Sequence, residues 1–269
     1  MKILIPMAGE GKRFADVGYT VSKPAIPTYD KRTGKQVPMV VCATLDLPGV
    51  MPGGGNVIYV DRDFHRANGT EEAIRRHLPE VTFITVDHLT EGQACTCLLA
   101  EQLINNEEEL LIAGCDNGME IDRDLFDSER TRADMLVFTY RHNASVLRNP
   151  DAYGWVKADK EGNVTGISIK KALSETPMED HAIVATFWFK QGNLFVKAAQ
   201  KMIDENDRVN NEFYVDQVIK HVMELGYRVK VFEIDRYIGW GTPGDYELYQ
   251  KTFAYWKGFY EREETRMFS

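Results

Sequence analysis

The fold is decided by the stretch of residues 1–26, MKILIPMAGEGKRFADVGYTVSKPAI. The apolar run 3–5 predicts a buried strand, and it opens into a loop of glycines and cations, Gly9-Glu10-Gly11-Lys12-Arg13. Glycines let backbone N–H groups approach phosphate oxygens because no Cβ stands in the way. Arg13 can bridge two phosphate oxygens, and Lys23, held in an extended backbone by the proline after it, supplies a point charge. The stretch therefore predicts a strand that ends in a polyphosphate-binding loop.

Other phosphate-binding loops do not fit this stretch. A dinucleotide-binding loop needs a third glycine where Phe14 stands, and a Walker loop needs Gly-Lys followed by Ser or Thr. Glycine pairs also follow strands in ordinary turns, so the glycines alone leave a structural role open.

Composition limits the classes of protein to which the chain can belong. With 269 residues it suits one α/β domain, or a domain with a modest extension. The net charge of −9 argues against nucleic-acid and membrane partners. No apolar stretch is long enough to span a bilayer, and the amino terminus is typical of a core strand and not of a signal peptide. We expect a cytoplasmic protein.

The four cysteines favour the same compartment. They are Cys42, Cys95, Cys97 and Cys115. Their spacing contains no Cys-x-x-Cys pair and no histidine cluster lies nearby in the sequence, which argues against a zinc site built on them. Reduced thiols are expected.

Hydrophobic runs alternate with amphipathic segments through the first half of the chain. Strands are predicted at 57–60, 81–86, 110–114 and 134–141, and helices at 38–47 and 63–78. A hairpin follows at 153–170, and 227–234 is the last predicted strand. The pattern predicts an α/β fold, with a mostly parallel mixed sheet and helices on both faces.

One family carries the motifs of this chain in the same order. Gly9-x-Gly11-x-Arg13-Phe14, then Gly18-Tyr19, then Lys23-Pro24 resembles the signature of the sugar-phosphate nucleotidylyltransferases, also called nucleoside-diphosphate-sugar pyrophosphorylases. The resemblance extends to about Tyr249. It implies the Rossmann-like three-layer nucleotidyltransferase fold in a single domain at 1–245. Residues 1–141 would form the nucleotide-binding half, 142–245 the acceptor-binding half, and 246–269 a C-terminal aromatic helix.

The resemblance also implies a nucleotide site. Its phosphate part would be formed by Ala8, Gly9, Glu10, Gly11 and Lys12. The segment 89–100 resembles the family's second signature, where the nucleobase is gripped, and would contribute Glu91, Gly92 and Gln93. Gly92 leaves room for a flat base, while Gln93 can read its edge. The alternative is a helix start in which small residues pack against the sheet.

Asp116 is the predicted metal ligand. It follows the strand 110–114, and an aspartate at a strand end is an expected place for Mg²⁺ bound to substrate phosphates. The alternative is an aspartate that caps the turn at Asn117-Gly118. The resemblance implies that Arg13, Lys23 and Asp116 are catalytic. Many family members carry a second metal-binding aspartate two residues before the glycine of the Gly-Thr-Pro turn at 241–243. Here that residue is Gly239, and Asp235 or Asp245 remain alternatives.

The acceptor half departs from the family at one motif. Tyr153 and Gly154 match the pair that lies along the sugar. Where the family has Glu-Lys-Pro, this chain has Lys170-Lys171-Ala172, so Lys171 matches the phosphate-binding lysine and Lys170 replaces the sugar-binding glutamate. An acceptor with more negative charge, or one that is not a sugar, therefore becomes more plausible. Glu212 would bind acceptor hydroxyls, or serve only the first turn of a helix.

The implied reaction couples a nucleoside triphosphate to a sugar 1-phosphate with Mg²⁺ and releases pyrophosphate, a step of nucleotide-sugar and polysaccharide biosynthesis. The resemblance favours pyrimidine triphosphates. A cytidylyltransferase for a non-sugar phosphate or phosphonate, and a catalytically silent nucleotide-binding relative, remain alternatives. A glycosyltransferase would need an Asp-x-Asp pair where Asp116-Asn117-Gly118 stands. An aromatic stripe after residue 245 predicts packing on the domain or a homodimer interface.

Overall fold

The computed structural model describes residues 1–267, with side chains up to residue 262. The strands are β1 Lys2–Pro6, β2 Pro27–Tyr29, β3 Gln36–Pro38, β4 Val57–Arg62, β5 Thr82–Val86, β6 Leu110–Ala113, β7 Asn117–Glu120, β8 Met135–Tyr140, β9 Gly154–Ala158, β10 Val164–Ile169, β11 His181–Phe189, β12 Val229–Glu233 and β13 Arg236–Gly239. The α-helices are α1 Lys12–Ala15, α2 Met39–Asp46, α3 Asp63–Ala67, α4 Thr70–Arg75, α5 Gln93–Leu98, α6 Glu101–Ile104, α7 Arg123–Glu129, α8 Gly192–Asp204, α9 Val215–Glu224 and α10 Pro243–Met267.

The main sheet has the strand order β5-β4-β1-β6-β11-β8-β12. Strands β5, β4, β1 and β6 run parallel to one another, and β12 runs parallel to β8. Strand β11 is antiparallel to both of its neighbours, β6 and β8. The β9–β10 hairpin pairs with the first two residues of β11. The predicted mixed sheet with a late antiparallel hairpin is confirmed.

The sheet is buried on both faces, which makes three layers. Leu4 of β1 faces a core that also contains residues of α5, α8 and α9. Ile3 and Ile5 face the other core, which contains residues of α2, α4 and α7. Strands covered on both faces read as continuous apolar runs, which is why 3–5 and 110–113 could be recognised without alternation.

A second, two-stranded sheet lies beside the main one and was not predicted. Strands β7 and β13 pair antiparallel, with Asn117 opposite Gly239. The turn alternative at Asn117-Gly118 is therefore wrong, and 227–234 is not the last strand. The ladder continues into a hydrogen bond from the Trp240 N–H to the Asp116 carbonyl, 2.9 Å. It carries the segment from Trp240 onward to the end of β6.

The predicted helix 63–78 is two shorter helices, α3 and α4. Gly69 between them has φ 80°, a left-handed conformation that ends the first helix and caps the second. The remaining predicted helices and strands of the main sheet are present within two or three residues of their expected ends.

The C-terminal helix begins at Pro243, earlier than predicted, and residues 268–269 of the predicted segment lie outside the described residues. Its first turns pack on the β2–β3 hairpin. The Tyr246 hydroxyl donates to the Pro27 carbonyl at 2.6 Å, and the Phe253 ring stacks on Tyr29 with centroids 5.0 Å apart. Trp256 is 50% exposed. In the described part of the chain, no helix is both long and apolar enough to cross a membrane.

Candidate active site

A cavity of about 930 Å³ opens at the carboxyl ends of β1 and β6. Three parts of the chain form its wall: the loop 8–13 together with Lys23, the segment 89–93, and a segment before α9. We call the first the phosphate loop after its predicted role. The lining residues are Pro6, Met7, Ala8, Gly9, Glu10, Gly11, Lys12, Arg13, Phe14, Lys23, Pro24, Leu89, Thr90, Glu91, Gly92, Gln93, Thr96, Cys115, Arg208, Asn211 and Glu212. All eight residues predicted to bind nucleotide are thus brought to one cavity.

The phosphate loop presents free backbone donors. Within residues 1–267, the N–H groups of residues 8–12 donate no hydrogen bond. A Cβ added at Gly9 would meet no atom within 4 Å, so the space over the loop is open. Gly11 has φ 64°, and a Cβ there would lie 3.2 Å from the Lys23 Cβ. The first glycine leaves room for a ligand, and the second permits a left-handed bend that brings Lys23 close.

Lys12, Arg13, Lys23 and Arg208 are the cations that line this cavity. Arg13 is exposed, and its guanidinium makes no ion pair with any described side chain. Lys23 lies over the Phe14 ring, with Nζ 5.6 Å from the ring centroid. Its Nζ is 2.5 Å from Asp116 Oδ2 and 3.5 Å from the Gly241 carbonyl oxygen. The lysine therefore bridges the phosphate loop, the end of β6 and the segment after β13.

The Lys23–Asp116 pair is charged on both sides. Burial alone would lower the pKa of Lys23, but the Asp116 carboxylate outweighs it and the pKa is raised. Burial would likewise raise the pKa of Asp116, yet Lys23 and then Arg13 hold it below its usual range. Burial raises the pKa of the neighbouring Cys115 thiol to about 12, and Asp116 adds to the shift. Cys115 is thus neutral and is no nucleophile at neutral pH.

The two alternative second ligands lie in unfavourable positions for a metal at Asp116. Asp235 precedes β13, at the end opposite to Gly239, and its N–H donates to the Glu120 carbonyl. Asp245 has both carboxylate oxygens engaged, one by Arg148 at 2.8 Å and one by the Thr242 hydroxyl at 2.7 Å. Neither is therefore a better second ligand than the other, and Asp116, which lies behind the cavity lining and contacts the lining residue Lys23, remains the predicted metal ligand.

The loop before α5 is locked to the segment before α9 by backbone hydrogen bonds. The Phe213 N–H donates to the Glu91 carbonyl at 2.9 Å, and the Ala94 N–H donates to the Phe213 carbonyl at 3.0 Å. Gly92 between them has φ 134°, and a Cβ there would lie 2.5 Å from two Phe213 backbone atoms. Only glycine fits this position.

Arg208 is a cavity residue that the sequence did not reveal. Its guanidinium contacts the Glu91 carboxylate and lies 4.0 Å from the Phe213 ring centroid. It is separated from Glu91 by 117 residues, and no local motif marks it. Glu212, predicted to bind the acceptor, lines the same cavity as the residues predicted to bind nucleotide.

The other predicted acceptor residues lie outside the lining of this cavity. Lys170 donates from Nζ to the Ala152 carbonyl at 2.5 Å and lies over the Tyr214 ring, 5.4 Å from its centroid. A Cβ at Gly154 would lie 3.0 Å from Asp216 Oδ2, so Gly154 and Asp216 are in close contact. Burial raises the pKa of Asp216 to about 6, and the Lys170 charge partly opposes the shift. Asp216 was also not predicted.

Tyr153 and Lys171 differ in exposure. The Tyr153 hydroxyl donates to the Ser145 carbonyl at 3.2 Å, and its ring contacts the Trp155 ring. Lys171 is exposed, and its ammonium has no partner among the described side chains. It is free to meet an anionic ligand.

Solved structures with the same fold come from nucleotidyltransferases. A nucleoside-diphosphate-sugar pyrophosphorylase from Vibrio cholerae RC9 superposes with a TM-score of 0.71 at 17% identity, covering 93% of this chain and 99% of that one. A UDP-glucose pyrophosphorylase in complex with UDP-glucose gives 0.66 at 16% identity, covering 96% and 98%. The inositol-1-phosphate CTP transferase from T. maritima gives 0.65 at 15% identity, covering 93% and 95%. The predicted Rossmann-like nucleotidyltransferase fold is confirmed.

Comparison with curated protein sequences gave no match. The family model described as nucleotidyl transferase, in contrast, matches residues 2–256, nearly the whole chain. The predicted resemblance and the predicted enzyme class are therefore confirmed: this chain belongs to the nucleotidyl transferase family and is a nucleotidyltransferase.

Proposed function

We propose that the protein transfers a nucleotidyl group from a nucleoside triphosphate to a sugar 1-phosphate, with Mg²⁺, and releases pyrophosphate. The observation that carries the proposal is the open phosphate loop. Its free N–H groups, Arg13 and Lys23 face one cavity that also reaches Gly92 and Gln93. A triphosphate with its base attached spans such an arrangement, because the donors cluster at one end and the small residues at the other.

The reaction needs no protein nucleophile. An oxygen of the acceptor phosphate forms a bond to the α-phosphorus, the bond to the bridging α–β oxygen breaks, and its electron pair leaves with pyrophosphate. Catalysis is then positioning and stabilisation of charge. The N–H groups of residues 8–12 and Arg13 hold the β- and γ-phosphates. Lys23 offsets the charge that develops around the α-phosphate.

Asp116 is the residue that would hold Mg²⁺, which when bound neutralises phosphate charge. The surroundings fit such an ion. Gly241 leaves the space beside Asp116 open. A Cβ added there would lie only 3.3 Å from Oδ2 and would begin to fill that space. A single carboxylate suffices, since Mg²⁺ keeps several waters and takes its other ligands from substrate phosphates.

Pyrimidine triphosphates are the proposed donors. We also propose that the protein is cytoplasmic and that it makes nucleotide sugars for polysaccharides. The relatives with UDP-glucose and with CTP support this choice of base.

A second acceptor class is favoured by the residues around Gly154. Lys170 stands where the family has a glutamate, and the carboxylate on this side is supplied instead by Asp216. A pair formed by Lys170 and Asp216, whose pKa is raised, differs chemically from a single glutamate that binds sugar hydroxyls. It supports a cytidylyltransferase for a non-sugar phosphate or phosphonate as the alternative.

Pyrophosphate release distinguishes these possibilities. Each common triphosphate is incubated with Mg²⁺ and a panel of sugar 1-phosphates, an inositol phosphate and phosphonates. Release that requires one triphosphate and one sugar 1-phosphate supports the proposal. Release only with CTP and a non-sugar acceptor supports the alternative. Tight nucleotide binding without release from any pair would indicate a silent regulatory relative.

A further inference from the structure

A cluster of ligand-type side chains lies where α8 and α9 meet, apart from the cavity. Glu205 follows the last residue of α8, and His221 and Glu224 lie one turn apart near the end of α9. One atom from each of the three, a ring nitrogen and two carboxylate oxygens, lies within 4.8 Å of the others. Acidic side chains often gather without a ligand, so the argument depends on the histidine.

His221 is fully buried, and only one of its ring nitrogens is satisfied. Nε2 lies 3.0 Å from Asp207 Oδ2. Because a carboxylate can only accept, Nε2 carries the proton of that hydrogen bond. In the neutral ring, Nδ1 then carries no proton and presents a lone pair. Nδ1 makes no hydrogen bond within the described part of the chain, although it is buried.

The unpartnered nitrogen points at the two carboxylates. Nδ1 lies 3.4 Å from Glu224 Oε2 and 3.6 Å from Glu205 Oε2. Three electron-rich atoms thus face one another, and an unpaired buried polar atom is costly. Two lysines contact these acids: Lys201 contacts both glutamates, with Nζ 2.6 Å from Glu224 Oε2, and Lys220 Nζ lies 2.7 Å from Asp207 Oδ2. Neither satisfies Nδ1. A cation placed between the three atoms would satisfy all of them.

The two spacings from Nδ1 match a zinc ion. Zinc binds histidine nitrogen at about 2.0–2.1 Å and carboxylate oxygen at about 2.0–2.2 Å in a tetrahedron, so neighbouring ligand atoms lie about 3.3–3.5 Å apart. The two distances from Nδ1 are close to that edge. Imidazole favours zinc over magnesium or calcium. The hydrogen bond from His221 to Asp207 is the type that orients a metal-binding imidazole.

We propose that Glu205, His221 and Glu224 bind one Zn²⁺, with Asp207 as the positioning residue and water as the fourth ligand. Lys201 turns outward when the ion binds. The ion joins the end of α8 to α9 and, through Asp207, steadies the segment whose next residue, Arg208, lines the cavity. This inference does not depend on the proposed reaction, because its test measures metal binding.

Calorimetric titration of the chelator-stripped full chain with Zn²⁺ tests the proposal, with Co²⁺ absorption as a second signal. We expect one equivalent to bind, a tetrahedral Co²⁺ spectrum and a higher melting temperature with zinc. Glu224→Gln and Glu205→Gln alter exposed side chains and should each weaken binding at least about tenfold, and Asp207→Asn about 10–100-fold. Glu72→Gln is the control, since it breaks a comparable surface ion pair, with Arg76, and should leave zinc affinity unchanged.

Lys201→Met separates a metal site from an ordinary ion-pair network. In the metal site Lys201 competes for the carboxylates, so its removal should raise zinc affinity. If His221 instead carries a second proton and completes an ion-pair network, the native chain binds no zinc and Lys201→Met only destabilises it. Absence of the single zinc equivalent, or equal zinc affinity in Glu224→Gln and the native chain, would overturn the proposal.

Discussion

Lys23 and Asp116 hold each other in place across 93 residues of sequence. The ammonium lies 2.5 Å from the carboxylate, so each side chain positions the other as well as contributing its own charge. Removing one leaves the other half-buried without its partner. The functional loss should therefore exceed that of removing any exposed cation.

Lys23→Ala and Asp116→Asn should each lower turnover by about 10³-fold or more, because stabilisation of phosphate charge is the main source of catalysis in the proposed reaction. Pyrophosphate release under saturating substrates measures the effect, and circular dichroism checks the fold. Lys160→Ala, an exposed lysine in a hairpin turn, is the control and should keep full activity. Near-normal turnover in either site variant contradicts the assigned roles.

Asp216 should make stability depend on pH. Its pKa is about 6 in the folded protein, against 3.8 for the reference group, because burial disfavours the ionised form. Below about pH 4 both folded and unfolded chains hold the proton, so nothing is lost. Between about pH 4 and pH 6 the unfolded chain loses this proton while the folded chain keeps it, so stability falls by about 1–3 kcal/mol and then stays level above pH 6, where both states are ionised.

Asp216→Asn removes that penalty and should be more stable than the native chain at pH 7–8, with the difference vanishing near pH 4. Urea unfolding followed by tryptophan fluorescence at several pH values measures it. Glu161→Gln changes an exposed acid and should show no such trend. A stability difference that is the same at pH 4 and pH 8 would refute the explanation.

At the level of elements, the backbone contact between the α5 loop and the segment before α9 depends on Gly92. Gly92→Ala places a Cβ against the Phe213 backbone at a left-handed φ, and the backbone cannot yield as a side chain could. We expect a loss of about 2–4 kcal/mol in unfolding free energy and a higher KM for the triphosphate. Chemical denaturation and initial-rate kinetics provide the two measurements.

Gly166→Ala is the matched control for that substitution. Gly166 lies in β10 with no atom within 4 Å of an added Cβ and without a positive φ. Its replacement should change stability by less than about 1 kcal/mol. A loss as large as that of Gly92→Ala would mean that general strand effects, and not the contact with Phe213, explain the result.

Elements with strong local patterns could be predicted, and elements formed by pairing could not. The continuous apolar runs of β1 and β6 identify buried strands by themselves. Strand β7 contains Asn117-Gly118, which favours a turn locally, and becomes a strand only because β13 pairs with it. Gly69 divides one amphipathic pattern into two helices because of its φ of 80°.

The same distinction holds for the candidate site. The phosphate loop and Asp116 were recognisable because they directly follow strands in the sequence. Arg208 and Asp216 have no such marker. Arg208 is positioned by its contact with Glu91, and Asp216 lies against Gly154, and both partners are far away in the sequence. Contacts of this kind are products of the tertiary fold.

At the scale of the molecule, the end of α10 is the surface that a homodimer would use. Tyr255 and Tyr260 are each 63% exposed and lie beside half-exposed Trp256, whereas the earlier aromatic residues of the helix pack on the domain. Clustered aromatic side chains are enriched at interfaces. The proposed interface therefore lies beyond the β2–β3 hairpin.

Sedimentation of the full chain should show a dimer, and the double variant Trp256→Ser with Tyr260→Ser should be monomeric with an unchanged melting temperature. Tyr227→Ser removes an exposed aromatic residue elsewhere and should stay dimeric. A monomeric native chain, or a double variant that still dimerises, would contradict this use of the helix.

The hydrogen bonds between Phe213, Glu91 and Ala94 join the loop before α5, predicted to bind the nucleotide, to the segment that carries Glu212. Because these bonds couple the two segments, a ligand that orders one of them also orders the other. In the proposed reaction, binding of the triphosphate and binding of the acceptor are then linked, and linkage is reciprocal. If a bound triphosphate raises the affinity for the acceptor by some factor, a bound acceptor raises the affinity for the triphosphate by the same factor.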